Sequence, residues 1–194
     1  MSIRHSLLAL LAEGPMYGYQ LRSRFEERTG GTWPLNVGQV YTTLGRLERD
    51  GLVTPTGDDG AGHAYYAITD QGRDEVRGWF EAPVERTSPP RDELAIKLAL
   101  AVTAPGVDVQ RVVQTQRTAT LRALQEYTRL KRQGGDLAWS LVLDSLVFAA
   151  EAEIRWLDHC EARLARAKHE EASRPATPHS AAPAQGSTSE GVRR

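Results

Sequence analysis

The sequence predicts a mainly α fold, a winged helix-turn-helix with a two-stranded wing joined to a C-terminal helical dimerisation domain. Three features predict it. A capped amphipathic helix spans residues 36–50, two strand-like segments separated by a Gly/Asp turn follow directly, and a long stretch free of proline and glycine runs over residues 136–168. The first two features describe a module that lays one helix in the major groove of duplex DNA.

Each element can be read in order. Ile3, Leu7, Leu8, Leu10 and Leu11 form an apolar first helix, closed by Gly14-Pro15. Proline cannot continue a helix but suits the start of the next, so Pro15 separates two helices. The second helix is expected from about Tyr17 to Arg28, with Tyr17, Leu21 and Phe25 on one face and Gly30-Gly31 ending it. Asn36 is an N-cap that Gln39 can complete as a capping box, and Gly51 sits where a left-handed residue closes a helix. Between these ends Val37, Val40, Leu44 and Leu47 share a face. Strands are expected at Leu52-Val53 and Tyr65 to Ile68, with turn chemistry from Thr56 to Gly62 and Thr69 capping a fourth helix that reaches about Phe80.

The face of the 36–50 helix opposite its apolar stripe carries Gln39, Thr42, Thr43, Arg46 and Arg49. Glutamine pairs with adenine, arginine with guanine or phosphate, and threonine with phosphate or a thymine methyl. Gln39, Thr42, Thr43 and Arg46 are therefore candidate base or groove contacts. Tyr41 and Arg49 are candidate backbone contacts, and His63 and Tyr65 belong to the wing. A solvated surface face has the same composition, and it is the order of surrounding elements that favours the DNA reading.

Charge weighs against strong phosphate binding. Residues 1–82 hold eight arginines, no lysine and eleven acids, a formal charge of −3, whereas affinity for duplex DNA comes largely from neutralising phosphates. A cluster would suffice if Arg22, Arg24, Arg46 and Arg49 shared one face and Glu26, Glu27, Asp74 and Glu75 lay elsewhere. The wing loop offers Asp58, Asp59 and His63 in place of basic tip residues. A winged domain acting as a protein–protein interaction module, without specific DNA binding, is the alternative reading, and the acidic balance favours it.

In the C-terminal half, a short helix over 91–102 and a further helix over about 108–131 precede the long one. The long helix carries two apolar rows: Leu143, Leu146, Ala150, Ile154, Leu157 and Leu164, and on another side Leu141, Phe148, Ala152 and Trp156. One monomer can cover only one of these rows, so the uncovered row is expected to pack against another copy.

Three stretches, Gly14-Pro-Met-Tyr-Gly-Tyr-Gln-Leu21 with Trp33, Gly38-Gln-Val-Tyr-Thr-Thr-Leu-Gly-Arg-Leu-Glu-Arg-Asp-Gly-Leu-Val53, and Tyr66-Ala-Ile-Thr-Asp-Gln-Gly-Arg73, closely resemble the PadR family of bacterial transcriptional regulators. The region beginning Arg91-Asp-Glu-Leu-Ala-Ile-Lys-Leu100 is similar to the longer C-terminal domain of one branch of that family. The resemblance implies a homodimer in which paired C-terminal helices bring two winged modules to a palindromic operator, most often as a repressor. It also implies a small aromatic effector. Tyr127, Trp139, Phe148 and Trp156 are the C-terminal rings available to line its site.

The expected organisation is a DNA-binding domain over 1–82, a linker over 83–90, a helical domain over 91–170 and a disordered tail over 171–194, rich in Pro, Ala, Ser and Thr. Enzyme motifs are missing: there is no Walker loop, nucleophile elbow, two-histidine zinc helix or dinucleotide fingerprint. With one cysteine, Cys160, and five scattered histidines, no disulfide framework, metal site or cofactor is expected. With no signal-like start and no long apolar run, the chain is expected to be soluble, cytoplasmic and without a membrane partner.

Overall fold

The structure, a computed structural model, describes residues 3–58, 60, 62–85 and 91–173. Helix α1 (Ile3–Leu11), strand β1 (Met16–Tyr17), helices α2 (Gly18–Arg28) and α3 (Val37–Arg49), strands β2 (Val53–Asp58) and β3 (Ala64–Ile68), and helix α4 (Asp70–Glu81) make the winged domain. Helices α5 (Glu93–Ala101), α6 (Val109–Arg132) and α7 (Leu137–Ala172) make the second domain. Part of the expected 83–90 linker and nearly all of the 171–194 tail lie outside the described residues, while α7 runs to Ala172. Among the described residues no helix is long and apolar enough to cross a membrane.

Leu7, Leu8, Leu11, Leu21, Val40, Leu44 and Leu47 interlock in one core where α1, α2 and α3 meet, and Leu52, Val53, Ile68 and Val76 close it from the sheet and α4. The apolar stripe of α3 faces inward, so its other face is left at the surface. The Asn36 side chain accepts from the Gly38 amide at 2.8 Å, and the reciprocal contact expected from Gln39 is not formed. At the other end Gly51 takes φ +73°, its amide donating to Glu48 O and that of Leu52 to Leu47 O, the paired bonds that close a helix on a left-handed residue. Thr69 then joins two elements through one hydroxyl, which donates to Gly51 O at 2.8 Å and accepts from the Gly72 amide at 3.1 Å.

The sheet has three strands, ordered β1-β3-β2 and antiparallel throughout, where two were expected. The third is a two-residue pairing, Met16 with Tyr66 and Tyr17 with Tyr65. Tyr17 therefore belongs to a strand and not to the face of α2, and α2 begins one residue later. The wing is also longer than the expected turn allowed, because Thr56, Gly57 and Asp58 extend β2. A bulge between Pro55 and Gly57 accommodates the irregular chain. β2 is an edge strand, where proline's missing N–H is tolerated.

Gly72 is where the first turn of α4 meets the connection between α3 and β2. A Cβ there would lie 2.3 Å from Leu52 O, a backbone atom held by the Thr69 amide at 3.0 Å, and 2.7 Å from Ile68 Cγ1. Gly72→Ala is expected to destabilise the winged domain by about 3 kcal/mol, the upper end for overpacking. Urea unfolding followed by circular dichroism checks this, and an unchanged midpoint would contradict the packing described.

α6 and α7 form an antiparallel hairpin, with Gln133 to Asp136 at the turn. Cross-links step away from the turn in order: Lys131 to Asp144, Gln116 to Glu153 and Gln114 to Glu161. The facing rows alternate in threes and fours, Val109, Val113, Gln116, Thr120, Ala123 and Tyr127 against Leu143, Leu146, Ala150, Glu153, Leu157 and Cys160. Leu98 of α5 caps one end of this seam with Val113 and Leu157. Trp156 packs there too, so it is parted from the other members of the second row. Leu141, Phe148 and Ala152 do stay exposed, joined by Leu137.

Candidate nucleic-acid interface

The outward face of α3 presents Gln39, Thr42, Arg46 and Arg49 to solvent, with Thr43 half-buried beside them. The Thr42 and Thr43 hydroxyls donate back to Gly38 O at 2.8 Å and Gln39 O at 2.7 Å. In this arrangement they offer acceptor lone pairs and methyl groups to a ligand. A groove of about 580 Å³ runs between this face and the start of α1, lined by Ile3, Arg4, Gln39, Thr42, Thr43, Arg46 and the core residue Leu47. The sequence pattern pointed to four of these seven. Ile3 and Arg4 were missed because only the tertiary packing of α1 on α3 brings them alongside.

Five of the eight arginines in this domain are already neutralised. Arg4 pairs with Asp50 at 2.5 Å, Arg22 with Glu26 at 2.9 Å, Arg24 with Glu27 at 3.2 Å, Arg28 with Glu13 at 3.4 Å and Arg77 with Asp74 at 3.1 Å. The expectation that Arg22 and Arg24 join Arg46 and Arg49 in one patch, away from Glu26 and Glu27, is therefore corrected. Each is paired along its own helix turn, a local contact that forms whenever α2 forms. Arg46, Arg49 and Arg73 make no ion pair among the described residues, and the first two lie on α3.

The remaining candidates sit around this face with different degrees of freedom. Tyr41 is 37% exposed, and its ring lies directly over Gly18 at the start of α2. Behind it, burial, with smaller contributions from Glu48 and Tyr41, pushes the Tyr66 phenol above its ordinary range. His63 and Tyr65 are both half-buried at the root of the wing. The His63 ring stacks on Tyr17 with centroids 4.7 Å apart, and Tyr65 meets the same ring edge-on at 5.3 Å. Tyr17 is thus a platform for the wing, a role visible only once β1 is paired to β3. At the tip the Asp58 carboxylate accepts from the Gly60 amide at 2.8 Å, while Asp59 lies outside the described residues.

The four C-terminal rings are not brought together. Tyr127 lines a groove of about 370 Å³ between α6 and α7, Trp139 lies over Gly30 and Gly135 where α2 meets the start of α7, Phe148 is 65% exposed, and Trp156 packs beside Leu157 and Cys160. Only Tyr127 among them lines that groove. No group of three or more metal-binding side chains occurs among the described residues.

Residues 7–78 match the transcriptional regulator PadR-like family, and residues 90–165 match the C-terminal α domain of virulence activators. The chain belongs to the PadR-like family of transcriptional regulators. PadR-like proteins are regulators and not enzymes. The probable transcriptional regulator Rv1176c of Mycobacterium tuberculosis is 28% identical over 179 residues, 81% of this chain and 95% of its own. The negative transcriptional regulator PadR of Bacillus subtilis is 26% identical over 172 residues, 80% and 93% of the two chains. The structure of that PadR with operator DNA has a TM-score of 0.67 at 20% identity, covering 84% of this chain and 99% of that one. The Vibrio cholerae virulence activator AphA gives 0.63 at 23%, covering 84% and 98%. These solved structures share the fold, both the winged domain and the helical one.

Proposed function

We propose that the protein is a homodimeric transcriptional repressor that sets α3 of each protomer into consecutive major grooves of a palindromic operator in double-stranded DNA, and releases it in response to a small aromatic effector. The carrying observation is the polar outer face of α3, on which Gln39, Thr42 and Arg46 stand exposed over a firmly packed core with Arg46 and Arg49 unpaired among the described residues. A rigid helix bearing pre-positioned polar side chains suits base readout. The solved operator complex of B. subtilis PadR, a relative of the same fold, supports this reading, as does its structure with p-coumaric acid for the effector. Dimerisation is supported by the exposed apolar row on α7.

Capture of genomic fragments by the purified protein tests the function. Enrichment of one inverted-repeat motif is expected. Uniform retention of DNA, or none, would favour the protein–protein interaction module.

The scarcity of unpaired arginines sets the expected ionic response. With Arg49 of each protomer neutralising one phosphate, about two in all, log affinity against log salt is expected to have a slope of about −2. Filter binding across a salt series checks this. A flat response would remove the phosphate contacts, and a slope near −8 would mean that the arginines paired in the free protein are recruited to DNA.

A further inference from the structure

We infer that the groove between α6 and α7 is a binding site for a small organic cation, an amine on a flat apolar body, with Glu153 as its anchor; this rests on the effector-responsive reading above and names the chemical class of ligand. The groove is a gap in an otherwise apolar seam. Its middle layer is polar: the Gln116 amide donates to Glu153 Oε1 at 2.9 Å, and the Thr120 hydroxyl, 7% exposed, donates to the same oxygen. Glu153 Oε2 accepts from no described residue. A carboxylate half-withdrawn from water, fixed by two donors on one oxygen and open on the other, is a directional acceptor for an ammonium group.

The rest of the lining selects the ligand's body. Ala119, Ala123 and Ala149 leave the space that larger side chains would fill, Leu146 supplies an apolar wall, and Tyr127 supplies a ring face. About 370 Å³ is within the range of small-molecule sites. Glu153 is the only acid in the lining, which holds no lysine, arginine or histidine. A carboxylic acid bound there would meet like charge with nothing to offset it. An amine finds the opposite charge and an aromatic face, both favourable to cations. α5 covers the neighbouring stretch of seam through Leu98, Val113 and Leu157, so the groove ends against protein on one side.

Isothermal titration of the full chain with phenylbutylamine and, separately, phenylbutyrate tests the assignment. The amine is expected to bind once per protomer, and the acid to give no heat of binding. Glu153→Gln, which keeps an acceptor for Gln116 and Thr120, is expected to weaken the amine at least about tenfold, as loss of one half of a desolvated charge pair does. Ala149→Leu, which fills the groove, should abolish binding while the far-ultraviolet circular dichroism is retained. Equal binding of the acid, undiminished binding to Glu153→Gln, or a change of oligomeric state in Ala149→Leu, marking the groove as covered by a second copy, would overturn it. Operator gel shifts with the amine separate the two readings: binding through Glu153 that leaves the DNA complex intact upholds this site and removes the effector response.

Discussion

Replacing Leu141 and Phe148 together by aspartate is expected to turn the protein into a monomer and to abolish operator binding at concentrations where the parent chain binds fully. These side chains are 61% and 65% exposed, Leu137 beside them is 74% exposed, and all three lie on the side of α7 away from α6. No other described residue covers them. Burying a leucine or phenylalanine is worth roughly 1.5–3 kcal/mol, and a two-fold interface uses each residue twice, so roughly 6–12 kcal/mol of association is at stake before the cost of burying aspartates. That is enough to convert a nanomolar dimer into a monomer at micromolar concentration. The seam between α6 and α7 is untouched, so the monomer should remain folded. Sedimentation equilibrium beside a thermal melt distinguishes dissociation from unfolding. A folded double variant that still sediments as a dimer would place the interface elsewhere.

Arg46→Ala is expected to produce the second largest effect. A bidentate base contact is worth about 1–3 kcal/mol, and a dimer loses it in both half-sites, so operator affinity should fall by about thirtyfold to about twenty-thousandfold. Arg46 makes no ion pair among the described residues, and its side chain is exposed on a helix whose other face is fully buried. Fold stability should therefore hardly change. Comparing operator with unrelated DNA identifies the type of contact. A loss confined to the operator marks base readout, an equal loss on both marks a phosphate contact, and no loss removes Arg46 from the interface.

Much of this architecture was legible because it is written in local patterns. The 36–50 helix declared itself through Asn36, Gly51 and the Val40, Leu44, Leu47 spacing, and all three of those apolar side chains are fully buried. The long helix was legible because nothing in it breaks a helix. β1 was not legible. Two residues carry no periodicity, and Met16-Tyr17 becomes a strand only because β3 is already there to pair with it.

The same distinction explains the rest of the site. Gln39, Thr42, Thr43 and Arg46 could be assigned to one face from spacing alone, whereas Ile3 and Arg4 join them across a tertiary gap. Arg22 and Arg24 looked available because a charge count does not say which acid stands one turn away. Trp156 shares a row with Leu141, Phe148 and Ala152 by spacing alone, and spacing does not show that it packs in the cluster that Leu98 of α5 joins. The polar layer of Gln116, Thr120 and Glu153 comes from two helices, and neither sequence segment alone marks those residues as partners.

The central claim, that two copies place matching α3 helices in successive major grooves, is tested most directly by methylation protection of guanine N7 on the captured operator. The account predicts two protected major-groove patches on one face of the duplex, about 10–10.5 base pairs apart and related by two-fold symmetry. A single patch, or no protection of guanine N7 on an operator that the protein binds, would contradict it.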